Sequence, residues 1–275
     1  MVKALDTQCE NIEGLRYEII VADDGSTDEH LCHVNKEILE LENARYIQRK
    51  ENVGRAGIRN FLAKEASYEW LLFIDSDMTV VLDDFILHYA ELDNSFKVAY
   101  GGYQLGNGTI SNLRYLYEKN AANKNAPKHR NQNPYSNLHT ANLLMNRQTA
   151  LTHPFDERFK RYGYEDVLLG KRLQEAGICI AHIDNPLLFD KFESNNRFMK
   201  KTEEAMQTLY MFRTELQGFS PLLDMAQRMK RLHLQGFFLS FWKARKDKWR
   251  IKLCGNHPNL KLYMLYKLGY FISLF

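Results

Sequence analysis

The sequence has few cysteines, and none of them lie at the spacing of a metal or redox motif. The four cysteines of the 275 residues are scattered, at Cys9, Cys32, Cys179 and Cys254. This spacing excludes a zinc knuckle and a C-x-x-C redox pair. The residues after Met1 include no apolar signal core, and free thiols favour a reducing compartment. We therefore expect a cytoplasmic protein.

The sequence also lacks a long hydrophobic run. The longest apolar stretch, 262–275, is interrupted by Lys267 and is shorter than the roughly 20 residues that a membrane-spanning helix needs. Hydrophobic residues make up 45% of the chain and charged residues 26%, which is usual for a folded protein. The length allows one large domain, or one domain with an appendage.

Positive charge is concentrated in residues 228–275. This segment contains eleven Lys or Arg and one acidic residue, Asp247, so its net charge is +10. The whole chain has +3, which leaves −7 for the remainder. Aromatic residues lie among these charges, at Phe237, Phe238, Phe241, Trp242 and Trp249. The segment fits an anionic membrane interface, and it equally fits a helical cap packed on the rest of the protein with its charges in water. Nucleic-acid binding is disfavoured, because no known binding module is present.

Short apolar runs alternate with stretches of helical periodicity in the first part of the chain. The runs predict strands at 17–22, 45–48, 70–74, 97–102, 140–145 and 178–183, and the periodicity predicts helices at 28–41, 57–66, 83–92 and 165–176. This alternation predicts an α/β fold, with a mostly parallel mixed sheet flanked by helices.

The pattern changes twice along the chain. Residues 103–139 are polar and rich in Asn, and they predict a mixed helix-and-loop insertion that faces a substrate. After residue 195 the pattern becomes helical, over 198–216 and 225–246. We therefore expect a domain of residues 1–195 followed by a helical C-terminal region, 196–275.

Acidic pairs follow two of the predicted strands and open one predicted helix. They are Asp23 and Asp24 after the first strand, Asp75 and Asp77 after the strand WLLFI, and Glu165 and Asp166 at a helix start. In open α/β sheets, ligands bind outside the carboxyl ends of the strands. We therefore expect the three pairs to border one site.

The segment Asp75-Ser76-Asp77 places two carboxylates at the end of a buried strand. A hard divalent cation satisfies such a pair and can also bind the phosphates of a substrate, where it stabilises a leaving diphosphate. The same residue types are also typical of turns and helix caps. The pattern alone does not decide between a metal site and a turn.

The other candidate residues also have two interpretations. Asp23 and Asp24 fit a hydrogen bond to a base or ribose, or a cap for the next helix. Asp166 fits a general base, or a charge that is favourable at a helix N-terminus. The segment 52–60, with Asn52, Gly54 and Arg59, fits a diphosphate-binding turn or an ordinary loop-to-helix junction. It is not the dinucleotide-binding pattern G-x-G-x-x-G.

Taken together and in order, four segments resemble the family 2 glycosyltransferases of the GT-A fold. They are EIIVADDGSTD (18–28), NVGRAGIRN (52–60), WLLFIDSDM (70–78) and FDERFKRYGYEDVLLGKRLQEAG (155–177). The likeness covers roughly residues 1–195. It implies a nucleotide-sugar-binding domain of the GT-A fold.

The resemblance also implies roles for the acidic residues. Asp24, or its neighbour Asp23, matches the residue that contacts the uracil of the donor. Asp77 matches a ligand of Mn²⁺ or Mg²⁺, and Asp75 matches a residue near the ribose and the metal.

A catalytic role is implied at the third acidic pair. Asp166 matches the catalytic base, with Glu165 beside it. The implied reaction is an inverting transfer, in which the acceptor hydroxyl loses its proton to Asp166 and displaces the nucleoside diphosphate in one step. We expect His139, Asn142 and residues 162–164 to shape the acceptor site.

Two departures from the family pattern stand out. Family members normally begin with a strand of the type V-S-[VI]-I-[IV]-P-x-[YF]-N, whereas this sequence begins in the following helix, around residues 2–8. We expect the neighbouring strands to keep unpaired buried backbone groups, each costing about 1–3 kcal/mol. Many relatives also carry a histidine metal ligand where this chain has Phe189. Asp190 and His182 are candidate substitutes, although His182 also fits a structural hydrogen bond in a strand.

We therefore expect a glycosyltransferase that moves a sugar from a UDP-sugar to a surface glycan or lipid-linked saccharide, peripheral on the cytoplasmic face of a membrane. One alternative is a catalytically silent sugar-nucleotide-binding protein, which the missing strand and Phe189 suggest. A nucleotidyltransferase is a second alternative, but its basic, Gly-rich signature is absent near the N-terminus. A third is a membrane-docking protein driven by 228–275.

Overall fold

Short strands separated by helices make up the first two thirds of the chain. The computed structural model describes residues 1–93, 95–122 and 125–275. The strands are β1 (Ile19–Asp23), β2 (Ala44–Gln48), β3 (Trp70–Ile74), β4 (Met78–Thr79), β5 (Val98–Tyr100), β6 (Tyr103–Leu105), β7 (Asn142–Asn146), β8 (Ile180–His182) and β9 (Leu187–Phe189).

The helices lie between the strands and, after residue 194, follow one another. They are α1 (Val2–Glu10), α2 (Glu29–Asn35), α3 (Gly54–Glu65), α4 (Phe85–Ala90), α5 (Leu113–Ala121), α6 (Pro127–Arg130), α7 (Arg147–Thr152), α8 (Glu165–Glu175), α9 (Asn195–Met211), α10 (Pro221–Arg231), α11 (Gln235–Lys243), α12 (Lys246–Cys254) and α13 (Leu260–Ile272). A 3₁₀ helix, Lys36–Glu40, extends α2.

The central sheet has four strands in the order β3, β7, β5 and β8. Strand β7 runs antiparallel to β3 and β5, whereas β5 and β8 are parallel, so β3, β5 and β8 share one direction. All five residues of β7 are buried, because helices cover both faces of the sheet. The predicted mixed sheet flanked by helices is confirmed. A smaller sheet has the order β4, β9 and β6.

Strands β1 and β2 form a separate parallel pair. Among the described residues, no strand lies between β1 and β3, so each of these strands has one edge without a partner strand. The expected unpaired groups are therefore present, but their burial is less than expected. Four of the five residues of β1 are partly exposed, so water can reach this edge.

Polar caps set the starts of several helices. The side chains of Asp28, Asn112, Ser194, Ser220 and Asn259 each accept a hydrogen bond from a backbone N–H in the first turn of the helix that follows. Each bond satisfies one of the donors that a helix start leaves unpaired.

The predicted helix 225–246 is wrong as a single element, because the chain is interrupted between α10 and α11. His233 adopts φ = 57°, and the N–H of Leu234 donates to the carbonyl of Met229. This arrangement is a Schellman-type helix end, which normally uses glycine. No glycine stands at this position, so the sequence gives no signal for the break.

The C-terminal helices share a core with the sheet. Met206 and Leu209 of α9 and Phe271 of α13 belong to the same buried cluster as Phe73 of β3 and Met145 of β7. The C-terminal part is therefore helical, as expected, and it packs on the α/β part. None of the described helices combines the length and apolarity needed to cross a membrane.

Candidate active site

Arg59 joins two of the three predicted acidic pairs. Its guanidinium donates from Nη2 to Asp75 Oδ1 at 2.7 Å and from Nη1 to Glu165 Oε1 at 3.3 Å. The side chains of Arg59 and Glu165 are only 7% and 6% exposed. Asp75 follows β3 and Glu165 begins α8, so a single buried arginine of α3 brings the strand end and the helix start together.

Arg55 lies one helical turn before Arg59 and faces the same acids. Its Nη1 is 3.8 Å from Asp75 Oδ2 and 3.9 Å from Glu165 Oε1, and its guanidinium stacks over the ring of Tyr162. Partial burial acts to lower the pKa of Arg55, but the two carboxylates raise it above its ordinary value. Residues four apart share a helix face, which places both guanidinium groups on the cleft.

The start of α8 is held in an unusual backbone conformation. Gly163 has φ = 96° and Tyr164 has φ = 71°, a left-handed conformation that costs a non-glycine residue of order 1–3 kcal/mol. This turn directly precedes Glu165 and Asp166, and the Glu165 side chain meets Arg59. Burial and the neighbouring Asp166 raise the pKa of Glu165, and the two arginines offset only part of that effect.

Asp166 is paired with His139, from the loop before β7. His139 Nδ1 lies 3.1 Å from Asp166 Oδ2, and Asp166 Oδ1 accepts a hydrogen bond from its neighbour, the Val167 N–H. Burial acts to raise the pKa of Asp166, but the bond and charge of His139 lower it below its ordinary value. Partial burial acts to lower the pKa of His139, but Asp166 raises it. The pair therefore favours an ionised carboxylate beside a cationic imidazole.

The segment Asp75-Ser76-Asp77, after β3, lies at the cleft. Asp75 is held by the arginines, whereas no ion pair or side-chain hydrogen bond of the described residues involves Asp77. Ser76 is exposed. All three line one large cavity together with Arg55 and Arg59. A carboxylate that lacks a cationic partner is suited to bind a divalent cation together with phosphate oxygens.

Asp23, in the first acidic pair, holds the loop after β1 through hydrogen bonds. Asp23 is buried and accepts hydrogen bonds from the Ser26 N–H at 2.6 Å and from the Tyr46 hydroxyl at 3.1 Å. Burial acts to raise its pKa, but these bonds lower it overall.

Asp24, the next residue, accepts hydrogen bonds from the backbone at the start of α3. Its two carboxylate oxygens accept from the N–H groups of Val53 and Gly54 at 3.0 and 2.9 Å, and Asn52 Oδ1 also accepts from Gly54 at 3.1 Å. Because these bonds fix the first turn of α3, that helix begins at Gly54, three residues before its predicted start.

The two proposed substitutes for a histidine metal ligand lie in different places. Asp190 follows Phe189, which pairs in register with Met78, so it stays a candidate beside Asp77. His182 Nε2 is 2.9 Å from the Pro134 carbonyl oxygen, so this histidine makes the structural bond that was its other interpretation. Phe189 packs edge-on against Tyr103 and Phe192. In the described part of the chain, no group of three or more His, Cys, Asp or Glu side chains is arranged to hold a metal. Oxygen atoms of a bound substrate or of water would complete the ligands of a cation at Asp77.

Two expectations about the acceptor side have different outcomes. His139 bonds to Asp166, and its place on the acceptor side stays a prediction. Asn142 is wrong as an acceptor residue, because its side chain is fully buried. It accepts from the Tyr89 hydroxyl and donates to the carbonyls of Gly102 and Asn185, so it joins three chain segments.

Basic residues of α9 reach the cleft, and the sequence motifs did not indicate them. Arg197 and Lys201 line the cavity that contains Asp75 and Asp77. Lys201 Nζ also lies over the ring of Tyr162, on which Arg55 stacks as well. Lys201 forms an ion pair with Glu193. Helical residues four apart lie on one face, but only the packing of α9 on the sheet shows which face meets the acids.

The cavity has a volume of about 1010 Å³ and extends well beyond the acids. From Asp75 and Asp77 it continues between β1 and β3, where apolar side chains of both strands line it. One end is thus polar and charged, and the other is an apolar slot in the sheet.

Comparisons with known proteins give the following matches. The family model described as Glycosyl transferase family 2 matches residues 1–151. Residues 1–349 of TarS from S. aureus superpose on 99% of this chain and 83% of their own, with a TM-score of 0.53 and 17% identity. The same TarS fragment in complex with UDP-GlcNAc gives a TM-score of 0.53, 18% identity and coverage of 99% and 84%.

A third solved structure is that of the mannosyltransferase PcManGT from Pyrobaculum calidifontis, in complex with GDP-Man and Mn²⁺. It has a TM-score of 0.53 and 12% identity, and the match covers 99% of this chain and 82% of that one. At these identities the structural matches show a shared fold. Among the curated proteins, none matches this sequence.

Proposed function

We infer that this chain, which belongs to glycosyl transferase family 2 and is a glycosyltransferase, transfers a sugar from a UDP-sugar to a hydroxyl of a glycan or lipid-linked saccharide, with inversion. The observation that carries this proposal is the bridge formed by Arg59. It draws Asp75 and Glu165 together, and the proposed base, Asp166, is the residue after Glu165. The domain of residues 1–195 is the proposed catalytic unit, with 196–275 as its helical appendage.

The donor diphosphate is proposed to lie between Asp77 and the cations of the cleft. Arg55 of α3 and Lys201 of α9 flank the ring of Tyr162, and both carry charge that matches a diphosphate. Asp77 and Asp75 would hold Mn²⁺ or Mg²⁺, which when bound offsets charge on the diphosphate. Solved relatives in complex with UDP-GlcNAc, UDP, or GDP-Man and Mn²⁺ support a nucleotide-sugar donor. Asp23 and Asp24 are proposed to border the nucleotide, with Asn52, Gly54 and Ser76 beside it.

Acceptor activation is proposed to occur at Asp166. The acceptor hydroxyl gives its proton to this carboxylate as its oxygen bonds to the anomeric carbon. The bond from that carbon to the diphosphate oxygen breaks at the same time, and its electron pair leaves with the diphosphate. Because His139 keeps Asp166 ionised, the base is ready at neutral pH. Glu165, held by Arg59, fixes the start of the helix that presents Asp166.

The basic C-terminal region is proposed to contact an anionic membrane surface. Phe237 is 81% exposed, Leu232 67% and Leu234 48%, and they cluster in sequence around the break between α10 and α11. Arg228 and Arg231 lie in the last turns of α10 beside them. Exposed apolar side chains flanked by cations are typical of membrane-interface binding. The four cysteines are free thiols, in keeping with the proposed cytoplasmic face.

Calorimetric titration of UDP, with and without Mn²⁺, tests the donor site. We expect metal-dependent binding by the wild type, loss of the metal dependence in Asp77→Ala, and no change in Asp83→Ala. Asp83 is an exposed carboxylate six residues away and serves as the matched control. Equal UDP binding by all three proteins, with or without metal, would contradict the role of Asp77.

Turnover distinguishes the enzyme from a silent binding protein. With a UDP-sugar and candidate acceptors, we expect release of UDP by the wild type and a decrease of roughly 10²- to 10⁴-fold in kcat for Asp166→Asn, with UDP binding retained. Glu175→Gln, an exposed site on the same helix, should be as active as the wild type. Donor binding without turnover by the wild type would instead favour the silent protein, and full activity of Asp166→Asn would reject this base.

A further inference from the structure

Lys267 of α13 is a cation without an anionic partner. Its Nζ lies 5.5 Å from the ring centroid of Tyr117 in α5 and 5.5 Å from that of Tyr263 in its own helix. Within the residues that the structure describes, this ammonium forms no ion pair and no hydrogen bond. Burial, with a smaller effect from the charge of Arg114, lowers the pKa of Lys267 to about 8. The side chain is partly exposed, so a ligand can reach it.

The two tyrosine rings alone do not satisfy the Lys267 ammonium. A ring attracts a cation, but it replaces none of the three hydrogen bonds that an ammonium group makes in water. Removing a charge from water without a partner of opposite sign is unfavourable. Ionisable groups that are perturbed in this way concentrate at ligand sites. The surroundings of Lys267 therefore favour an anion as its missing partner.

Arg114 places a second positive charge near Lys267. It lies three residues before Tyr117, and residues three apart share a face of a helix. Its Nη2 is 2.8 Å from Glu118 Oε1, and Glu118 also accepts a hydrogen bond from the Tyr103 hydroxyl at 2.7 Å. This one carboxylate offsets the charge of Arg114, so the charge of Lys267 is left without compensation.

The two cations lie on the side of the proposed base. The ring of Tyr103 is 6.4 Å from the ring of His139, and His139 bonds to Asp166. Burial acts first to lower the pKa of His139 and the charge of Arg114 adds to this, although Asp166 raises the pKa overall. Arg114 is thus within electrostatic reach of the His139–Asp166 pair. A substituent of an acceptor bound at Asp166 can therefore meet Arg114.

Arg114 and Lys267 are distinct from the cations proposed for the donor diphosphate. Arg55 and Lys201 line the cavity that contains Asp77. Arg114 and Lys267 are not among the residues that line it. The donor therefore has cations of its own, and the second pair remains available for another anion.

We propose that Lys267 and Arg114 bind an acidic group of the acceptor, a phosphate or a carboxylate, near the hydroxyl that reacts. The proposal rests on the proposed transfer at Asp166, and it narrows the acceptor to an anionic saccharide. Oxygen atoms of the acidic group accept charge-assisted hydrogen bonds from the ammonium and the guanidinium. Because Lys267 belongs to α13, the C-terminal region supplies part of the substrate site.

Calorimetry with two acidic sugars tests this site on the full chain. UDP and Mn²⁺ are present in excess, so that the proposed donor site is occupied. The probes are glucose 6-phosphate and glucuronate, and glucose is the neutral control. We expect at least one acidic sugar to bind and glucose not to bind. The sugar that binds more tightly shows whether the site takes a phosphate or a carboxylate.

The variant Lys267→Met shows whether binding uses this cation. Loss of one hydrogen bond from a charged group should weaken binding of the acidic sugar roughly 10- to 100-fold. Lys267→Arg keeps the charge and should retain most of the affinity. Lys261→Met, which removes an exposed lysine of the same helix, should bind as the wild type does. The Tm of Lys267→Met should be unchanged or higher, since the substitution breaks no ion pair.

Two outcomes would overturn the proposal. One is that neither acidic sugar binds to the wild type. The other is that Lys267→Met binds both sugars as tightly as the wild type, and a lower Tm of this variant would then make Lys267 a structural residue. UDP binding is measured separately in the same proteins. If UDP does not bind, the proposed donor site fails, while the comparison of the Lys267 variants still decides the site for the acidic group.

Discussion

His139 Nδ1 lies 3.1 Å from Asp166 Oδ2, which ties the polar insertion to the first turn of α8. The two residues are 27 positions apart in the sequence. The pair lowers the pKa of the carboxyl group, although burial acts in the opposite direction. The proposed base is therefore controlled by a residue that belongs to none of the four family-like segments.

Replacing this histidine should change the pH dependence of transfer. In His139→Ala, the pKa of Asp166 should rise, because the bond and charge of His139 no longer lower it and burial still raises it. A carboxylate base is lost as pH falls through its pKa, so the acidic limb of kcat should move to higher pH. On that acidic limb the activity of the variant should fall about tenfold for each pH unit by which the limb moves.

The measurement is a pH profile of UDP release for the variant and the wild type. His129→Ala is the control, since His129 is exposed in the same insertion. An unshifted acidic limb in His139→Ala would mean that the pair is only structural.

Arg59 and Arg55 should differ in their contribution to stability, although both face the same acids. Arg59→Met leaves Glu165 buried without its closest cation and should lower the free energy of unfolding by about 3–5 kcal/mol. Arg55→Met removes a side chain that is 44% exposed and only 3.8–3.9 Å from its partners, and should cost about 0–1 kcal/mol. Urea unfolding of the two variants tests this, and equal losses would contradict it.

An acidic residue outside the cleft should contribute to stability only above a low pH. The hydrogen bonds from Arg158, with help from Arg172, lower the pKa of Asp156 to about 2, against the opposing effect of burial. A lowered carboxyl pKa stabilises the folded state above the unfolded pKa of about 3.9, and this contribution disappears as pH falls towards 2.

The comparison of Asp156→Asn with the wild type checks this effect. We expect the variant to be less stable by about 1–2 kcal/mol at pH 7, since the Arg158 partner is largely exposed. The difference should shrink between about pH 4 and pH 2. A difference in the free energy of unfolding that is independent of pH would show that ionisation is not its cause.

Membrane binding should depend on Phe237. This side chain is 81% exposed in the basic region, and its transfer into a membrane interface gains about 1.5–3 kcal/mol. Phe237→Ser should therefore weaken sedimentation with vesicles that contain anionic lipid by roughly 10- to 100-fold. Ile110→Ser alters an apolar residue that is 72% exposed in the insertion, and it should have no effect. If neither variant alters binding, this patch is not the contact surface.

Much of the fold could be predicted from short sequence patterns. The runs RYIQ and WLLFI lie in strands, and the last four residues of YEIIVA lie in β1, because an apolar run that stops at a turn cluster favours a strand. Strands β4, β6 and β9 have two or three residues and give no such pattern. They form because neighbouring chain segments pair with them.

The candidate site was predictable in part, for a similar reason. Asp75 and Glu165 were expected because acids at strand ends and helix starts are local signals. The residues around them were not: Lys201 reaches the cleft only through the packing of α9, and the bonds of Asp24 to Val53 and Gly54 depend on how two loops meet.

By itself, the sequence determined the longer strands, several of the helices and the acids at their ends, because these follow from the periodicity of neighbouring residues. The tertiary structure decided which residues meet: Arg59 lies between Asp75 and Glu165, and His139 bonds to Asp166. It also decided that β1 and β3 leave a slot between them. Ion pairs, pKa values and strand edges depend on distances between residues far apart in the chain, and only the packing of the elements sets those distances.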